Sequence, residues 1–139
     1  MTQTYSRGAN PELTGAAVDW TTDRGWYFDL PAGEQANTTP SVAYGTVGFT
    51  TNKNGGSDCA QSAFMYLVDI KTGQKSVITD FSSAQISANA NASRLTTLRI
   101  ANGQLVGTSH TSDNGVYRRL LGAGLPIPAA KNAWREIRR

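Results

Sequence analysis

Apolar and polar positions alternate along much of the chain with the two-residue period of strands that are buried on one face. In residues 40–50 this alternation includes Val47 and Phe49 and continues on both sides of Tyr44-Gly45. A two-residue connection of this kind predicts a hairpin, because its residues must tolerate positive φ and glycine does so without steric cost. The pattern therefore predicts two antiparallel strands and favours an all-β fold.

The same hairpin pattern occurs a second time, 58 residues further along the chain. Residues 98–108 form this second copy, with Ile100 and Leu105 as its apolar positions and Asn102-Gly103 as its turn. Asn-Gly is the strongest short hairpin signal, because both residues adopt positive φ readily. The two copies indicate a repeated β unit.

Further runs typical of strands surround the two hairpins. They lie at residues 25–30, 64–69, 76–80, 116–120 and 133–137. We therefore predict antiparallel four-stranded units at about 34–81 and 93–139, with residues 1–18 as an extended arm. Units of this kind are typical of β-propeller blades, of which a closed propeller needs at least about four. The chain has room for about two blades, so it is predicted to be either the end of a longer propeller or a small free-standing pair of sheets.

The composition agrees with an all-β domain. The 139 residues correspond to one domain, and they include 16 Thr, 11 Ser, 9 Asn and 14 Gly but only 17% charged residues. Threonine favours strands, whereas asparagine, serine and glycine favour turns. No apolar run approaches the roughly 20 residues that a spanning helix needs, so we expect no membrane span.

The net charge of +3 comes from the last part of the chain. No basic stripe interleaved with aromatic residues is present, so we expect no nucleic-acid binding. Among these cations, Arg118 and Arg119 are candidate contacts for an acidic partner, and the alternative is that they only solvate a strand. The cationic residues of this part are Arg118, Arg119, Lys131, Arg135, Arg138 and Arg139.

Catalytic motifs are absent from the sequence. There is no phosphate-binding loop, dinucleotide fingerprint, zinc-protease helix or nucleophile elbow. The single histidine, His110, is predicted to lie in a solvated turn, and Asp29, Asp69 and Asp80 stand near strand ends, where such residues usually cap turns. We therefore predict a protein that is not an enzyme, with a site built from these three carboxylates as the alternative.

Aromatic residues are the candidates for core packing and for surface contacts. We expect Trp26, Phe28 and Trp134 to lie in the core, because large apolar side chains bury the most area there. Tyr27 and Tyr44 are predicted to lie at the surface as partner contacts. A sugar-binding surface would use the same two tyrosines for stacking.

Two long segments of the chain resemble the C-terminal propeller of the PilC/PilY family of type IV pilus tip-associated adhesins. Residues 25–34 read GWYFDLPAGE and are followed by TPSV at 39–42 and by the first hairpin. Cys59 and then FMYLVDIKTG at 64–73 follow in the order that the family has, and AWREI at 133–137 resembles the text near its C-terminus. Gln35 stands where the family prefers Arg, and Phe64 where it has Trp.

The resemblance implies that residues 19–139 are the C-terminal propeller fragment of a pilus adhesin or pilus biogenesis protein. Such a module is exported to the cell surface, the pilus tip or the outer membrane, and it supports pilus assembly and adhesion through contacts with minor pilins or host surface molecules. As an isolated fragment with open sheet edges it is expected to dimerise or to swap strands. The alternative is a free-standing secreted module that binds carbohydrate or protein.

No cofactor or metal is expected in this chain, although family members hold calcium in a propeller loop. The nearest sequence, residues 52–58, supplies one carboxylate, Asp58, and lacks the closing bidentate Glu of such a loop. A tight turn is predicted there instead. The single cysteine, Cys59, excludes an internal disulfide, which leaves a buried thiol or a partner cysteine outside this chain.

Overall fold

The computed structural model describes residues 2–6, 12–15, 17–55, 61–79, 81–101 and 104–122, with side chains at 17–55, 61–79, 81–92 and 106–116. These residues are all-β, as predicted, and contain no helix. No helix in this part of the chain is therefore long and apolar enough to cross a membrane. The strands are β1 (Thr2–Ser6), β2 (Glu12–Gly15), β3 (Tyr27–Phe28), β4 (Glu34–Gln35), β5 (Ser41–Ala43), β6 (Thr46–Asn54), β7 (Gln61–Asp69), β8 (Ser83–Ser87), β9 (Ala92–Ala101), β10 (Gln104–Thr111) and β11 (Val116–Gly122).

The strands form three sheets in chain order. The first sheet has the order β2-β1-β3, with β1 and β3 parallel. The central sheet is antiparallel: β4 and β5 both pair with one edge of β6, and β7 and β8 follow. The third sheet has the order β11-β10-β9 and is also antiparallel.

The first predicted hairpin is confirmed. Ala43 pairs with Thr46, and the two residues between them have φ values of 52° at Tyr44 and 72° at Gly45. Positive φ at both positions is the geometry of a type I′ turn, whose twist matches that of the flanking strands. The second hairpin is confirmed by the pairing of Ala101 with Gln104, while its turn residues 102–103 lie outside the described residues.

The predicted strand at residues 76–80 is wrong. The amide and the hydroxyl of Thr79 both donate to the carbonyl oxygen of Ser76, at 3.1 and 3.0 Å, and these bonds close a turn. Such side-chain bonds compete with strand pairing for the backbone. The strand that pairs with β7 after this turn is instead β8, which begins after the buried Phe81 and Ser82.

Other predicted elements differ in length or lie outside the described residues. The aromatic run at 25–30 contributes only the two residues of β3, and the segment predicted as an extended arm contains β1 and β2. Residues 133–137 with Trp134, the single cysteine Cys59 and the carboxylate of Asp80 all lie outside the described residues. The bounds of the two blade-like units stay predictions.

The core is centred on β7, because both faces of this strand are covered. All residues from 63 to 68 are buried, which explains the nearly continuous apolar sequence of this strand. On one face, the aromatic ring of Phe28 lies against Phe49 and Tyr66. On the other face, Asn52 of β6 bonds to Ala92 at the start of β9. The central sheet therefore lies between the segment that precedes it and the sheet that follows it.

Candidate functional site

A stack of four aromatic rings runs along one face of the central sheet. Phe49 and Tyr66 are cross-strand partners with ring centroids 5.0 Å apart and nearly parallel planes. Phe28 lies 5.9 Å from Tyr66, and Trp26 lies 6.2 Å from Phe28. Rings at these separations contribute about 0.5–1.5 kcal/mol per pair beyond the area they bury. The expected core packing of Trp26 and Phe28 takes the form of a half-buried stack.

Trp26 ends this stack on the turn that follows β7. Its Nε1 donates to the carbonyl oxygen of Ile70 at 3.0 Å. Its ring covers Gly73, where an added Cβ would lie 2.6 Å from Cε3 and 2.8 Å from Cγ of the indole. Gly73 also has a φ of +69°, so two independent features require glycine at this position.

The turn itself is fixed by Asp69, as expected for a carboxylate at a strand end. Its Oδ1 accepts the amides of Lys71 at 2.8 Å and Thr72 at 2.9 Å, and its carbonyl oxygen accepts the amide of Gly73 at 2.9 Å. The amide of Ile70 donates to the carbonyl oxygen of Gly45 at 2.9 Å. The turn after β7 is thereby bonded to the turn between β5 and β6.

These bonds bring exposed apolar side chains to one end of the central sheet. Tyr44 is 58% exposed, Ile70 is 44% exposed, and Val42 of the adjoining edge strand is 60% exposed. We call these three residues the turn-end surface. A rigid backbone that presents aromatic and aliphatic side chains to solvent suits contact with another protein, since little conformational entropy is lost on binding.

Of the predicted contact residues, only Tyr44 belongs to the turn-end surface. Tyr44 is exposed in the hairpin turn, and Tyr27 is 55% exposed on β3, so both lie at the surface as predicted. Arg118 and Arg119 lie on β11 opposite Thr108 and Gly107, and their side chains are outside the described set. The partner role of these four residues stays a prediction.

The sequence analysis did not predict that Ile70 and Val42 are exposed. An isoleucine or valine in a strand-like run is normally assigned to the core. Their exposure depends on the edge position of β5 and on the turn at Asp69, and only the latter has a sequence signal, in the Asp-x-x-Thr-Gly pattern.

No protein-family model, curated protein or solved structure matches the chain. The resemblance to pilus adhesins therefore stays a prediction from the sequence. A function can be inferred only from this resemblance and from the geometry of the site.

A buried polar cluster lies beside the aromatic stack. The carboxylate oxygen Oε1 of Glu34 accepts the hydroxyl of Tyr66 at 2.6 Å and the hydroxyl of Thr51. Glu34 is buried, and Tyr66 and Thr51 are fully buried. These bonds join β4, which carries Glu34, to Thr51 of β6 and Tyr66 of β7, so the cluster holds β4 against the two central strands.

A second polar link joins the central sheet to the third sheet. Asn52 Oδ1 accepts the amide of Ala92 at 2.7 Å, while its Nδ2 donates to the carbonyl oxygen of Ala92 at 3.0 Å. Nδ2 also donates to Oδ1 of Asn37 at 2.8 Å. The side chain thus satisfies both backbone groups of one residue, as a neighbouring strand would.

His110 lies in a strand and not in the predicted turn. It is exposed on β10 opposite Val116, while the neighbouring Ser109 is buried. Asp113 is two residues beyond the end of β10, and its Oδ1 accepts the hydroxyl of Thr111 at 2.5 Å and the amide of Gly115 at 3.3 Å. Its carboxylate is therefore engaged in its own turn. Within the described residues, no group of three or more His, Cys, Asp or Glu side chains could hold a metal ion.

Two exposed aspartates have lowered pKa values. The hydroxyl of Thr111, with the Gly115 amide, lowers the pKa of Asp113, and the hydroxyl and amide of Thr21 lower the pKa of Asp19. A carboxyl whose pKa is lower in the folded chain stabilises the fold above its ordinary pKa, and this contribution disappears as the pH falls through the lowered value.

The Thr111→Val variant tests this assignment. Because the hydroxyl is the largest cause, the substitution should raise the pKa of Asp113 toward the ordinary 3.8 and leave that of Asp19 unchanged. A carboxyl-detected NMR titration measures both groups in one sample, so Asp19 is the internal control. An unchanged Asp113 titration would contradict the role of the hydroxyl.

Proposed function

We propose that the chain is a non-enzymatic β-module of a type IV pilus tip adhesin or pilus biogenesis protein, which acts at the cell surface through protein contacts. One observation carries the proposal. The two segments with the strongest textual resemblance, residues 25–34 and 64–73, contact each other through Trp26, Ile70 and Gly73. The tryptophan of the first segment covers the glycine of the second. This contact gives a structural reason for the two segments to occur in the same chain.

The arrangement of the sheets supports a propeller as the architecture. The central sheet has five strands: β5, β6, β7 and β8 form an antiparallel meander, and β4 pairs with the same edge of β6 as β5. Aromatic residues that precede it in the chain cover one of its faces, and β9, which follows it, lies at the other. Consecutive blades of a propeller stack in this order. We propose that the central sheet is one blade and that the third sheet belongs to the next.

The turn-end surface is the proposed contact with pilus proteins. Turns at the ends of blades lie on the open faces of a propeller, where partners have access. Tyr44 and Ile70 belong to two turns that a backbone hydrogen bond holds together, so the surface is formed before binding. It offers apolar area and one tyrosine hydroxyl, a combination that is enriched at protein interfaces.

The combined variant Tyr44→Ser and Ile70→Ser tests this surface. Loss of two large contact side chains should weaken binding to purified pili from the source organism by at least about 10-fold, since truncated anchors cost about 2 kcal/mol or more. Surface-immobilised pili and the soluble chain give the dissociation constant. Val116→Ser is the matched control, because Val116 is 61% exposed on the third sheet.

The outcome depends on the fold remaining intact. All three chains should have melting temperatures within a few degrees of one another, because the replaced side chains are exposed. Equal affinity of the double variant and the control for pili would contradict the proposed contact surface.

A carbohydrate-binding module is the second candidate, because Tyr27 and Tyr44 are both more than half exposed. Exposed aromatic rings stack on sugar faces. Glycan-array binding that is lost in Tyr27→Ala and Tyr44→Ala, together with an absence of pilus binding, would favour this candidate.

A further inference from the structure

Exposed apolar side chains are concentrated near one end of the central sheet. In the part of the chain that the structure describes, seven large apolar side chains are exposed, and four of them lie here. Val42, Tyr44 and Ile70 form the turn-end surface, and the fourth is Val77, which is 93% exposed. Single exposed apolar side chains are common on proteins, whereas groups of them mark contact sites. The grouping therefore favours a surface that a partner covers.

A hydrogen bond holds the turn of Val77 beside this surface. The hydroxyl groups of Ser76 and Thr46 are bonded at 2.6 Å, and Thr46 directly follows the Tyr44-Gly45 turn. The side chain of Ser76 is buried, while that of the next residue, Val77, is exposed. Val77 thus extends the apolar area on a backbone that is already fixed.

The charged side chains that border this area are mostly positive. In residues 69–79 they are Asp69, Lys71 and Lys75, and both lysines are exposed. Oδ1 of Asp69 accepts the amides of Lys71 and Thr72, so this carboxylate serves the turn itself. Residues 41–46 carry no charged side chain. The apolar area therefore has a cationic border.

We propose that the turn-end surface, together with Val77, Lys71 and Lys75, binds an acidic segment of a partner protein. Carboxylates of this segment meet the two lysines, and its apolar side chains cover the exposed apolar area. Opposite charges around an apolar contact select the partner and accelerate its association. This inference rests on the contact role proposed above for the turn-end surface and adds the chemistry of the partner.

A second copy of the chain and an anionic membrane fit these residues less well. A symmetric dimer through this surface would bring the lysines of both copies together, and like charges oppose such a contact. Recognition of anionic lipid typically uses clusters of about four to eight basic residues, whereas residues 69–79 contain two. An acidic protein segment suits both the apolar area and the small number of lysines.

Selection of random peptides displayed on phage, with the unsubstituted chain as the target, tests the partner chemistry without the use of pili. The selected peptides should combine Asp or Glu with apolar residues. Their affinity should fall at least about 5-fold when the ionic strength rises from about 0.01 to about 0.15 M, because the Debye length shortens from about 30 to about 8 Å. The double variant Lys71→Gln and Lys75→Gln should bind them at least about 5-fold more weakly and lose this salt dependence.

Lys53→Gln is the matched control. Lys53 lies seven residues beyond Thr46 on β6, which is roughly 23 Å at about 3.3 Å per residue. This variant should bind the peptides as the unsubstituted chain does, with the same salt dependence. The Tyr44→Ser and Ile70→Ser variant should bind them more weakly but keep the salt dependence, since both lysines remain.

Selected peptides without an excess of acidic residues would overturn the inference, as would equal affinity of the double lysine variant and the Lys53→Gln control. Binding to vesicles that contain phosphatidylserine, if it depends on the two lysines, would also overturn it, because the surface would then recognise lipid. Failure of the pilus proposal gives a different result. Acidic peptides would bind as described, while purified pili would not bind the chain.

Discussion

Replacing Gly73 by alanine is expected to destabilise the chain by about 3 kcal/mol and to lower its melting temperature by roughly 10 °C. The new Cβ would lie 2.6 Å from Cε3 of Trp26, a ring that is held by its bond to Ile70 and by stacking on Phe28. The ring cannot withdraw without losing these contacts. Alanine at a φ of +69° adds about 1 kcal/mol of backbone strain.

Gly45→Ala is the matched control for this prediction. Gly45 has a φ of +72°, and a Cβ there would meet no atom within 4 Å. The control should therefore show the backbone strain without the clash, at about 1 kcal/mol. Thermal unfolding of both variants by circular dichroism measures the difference. Equal losses in the two variants would mean that Trp26 does not pack on the turn as described.

A double variant separates the clash from the strain. In a Trp26→Leu background the ring is absent, so the additional cost of Gly73→Ala should fall to that of Gly45→Ala. Trp26→Leu alone is expected to be destabilising as well, because the bond to Ile70 is lost. The loss of stability caused by Gly73→Ala could instead be the same with and without the indole. In that case the contact between residues 25–34 and 64–73 does not stabilise the fold, and it no longer supports the proposed function.

The second large effect is expected for Asn52→Ala, with a loss of about 2–4 kcal/mol. Truncation leaves the amide and the carbonyl of Ala92 without their partners in a buried position, and each such group costs about 1–3 kcal/mol. The variant should also weaken the attachment of the third sheet. Urea unfolding monitored by far-ultraviolet circular dichroism measures the total loss, and hydrogen exchange of the Ala92 amide measures the local one.

Asn54→Ala is the control, since Asn54 lies at the end of the same strand and is exposed. It should change stability by no more than about 0.5 kcal/mol. Asn52→Asp is a sharper test than truncation, because it keeps the size of the side chain but replaces the donating amide by an oxygen. That oxygen would face the carbonyl oxygen of Ala92 and Oδ1 of Asn37, so a loss at least as large as for alanine is expected. A neutral result for both variants would contradict the link between the sheets.

The local sequence was sufficient to predict two turns whose geometry depends only on neighbouring residues. The hairpin at Tyr44-Gly45 was predictable because two adjacent residues must adopt positive φ, and both do. The cap at Asp69 was predictable for a similar reason, since its bonds reach only two and three residues ahead. Both features depend on residues that are neighbours in the chain.

Tertiary context, together with one short-range turn bond, determined the elements that local reasoning placed wrongly. Residues 76–79 include Val77 and Ile78, which favour strands, yet the bond between Thr79 and Ser76 makes them a turn. That turn is anchored by a 2.6 Å bond between the hydroxyls of Ser76 and Thr46, 30 residues apart. The less strand-like β8 is a strand because it pairs with the buried β7.

The candidate site was predictable only in part for the same reason. Tyr44 was expected at the surface because it occupies a turn. Ile70 is exposed because its amide and carbonyl are bound to Gly45 and Trp26, which lie 25 and 44 residues away in the chain. The Asp-x-x-Thr-Gly pattern indicates the turn that contains Ile70, but no local pattern reports contacts at such separations.

If this chain works at the pilus, as we propose, it must be located there. An antibody against residues 17–55, used on cells that are separated into cytoplasm, envelope and sheared surface fibres, shows where the chain resides. We expect a signal in the envelope and fibre fractions, with the fibre signal lost in a strain that lacks the major pilin. A signal confined to the cytoplasm, or a fibre signal that persists without pili, would contradict it.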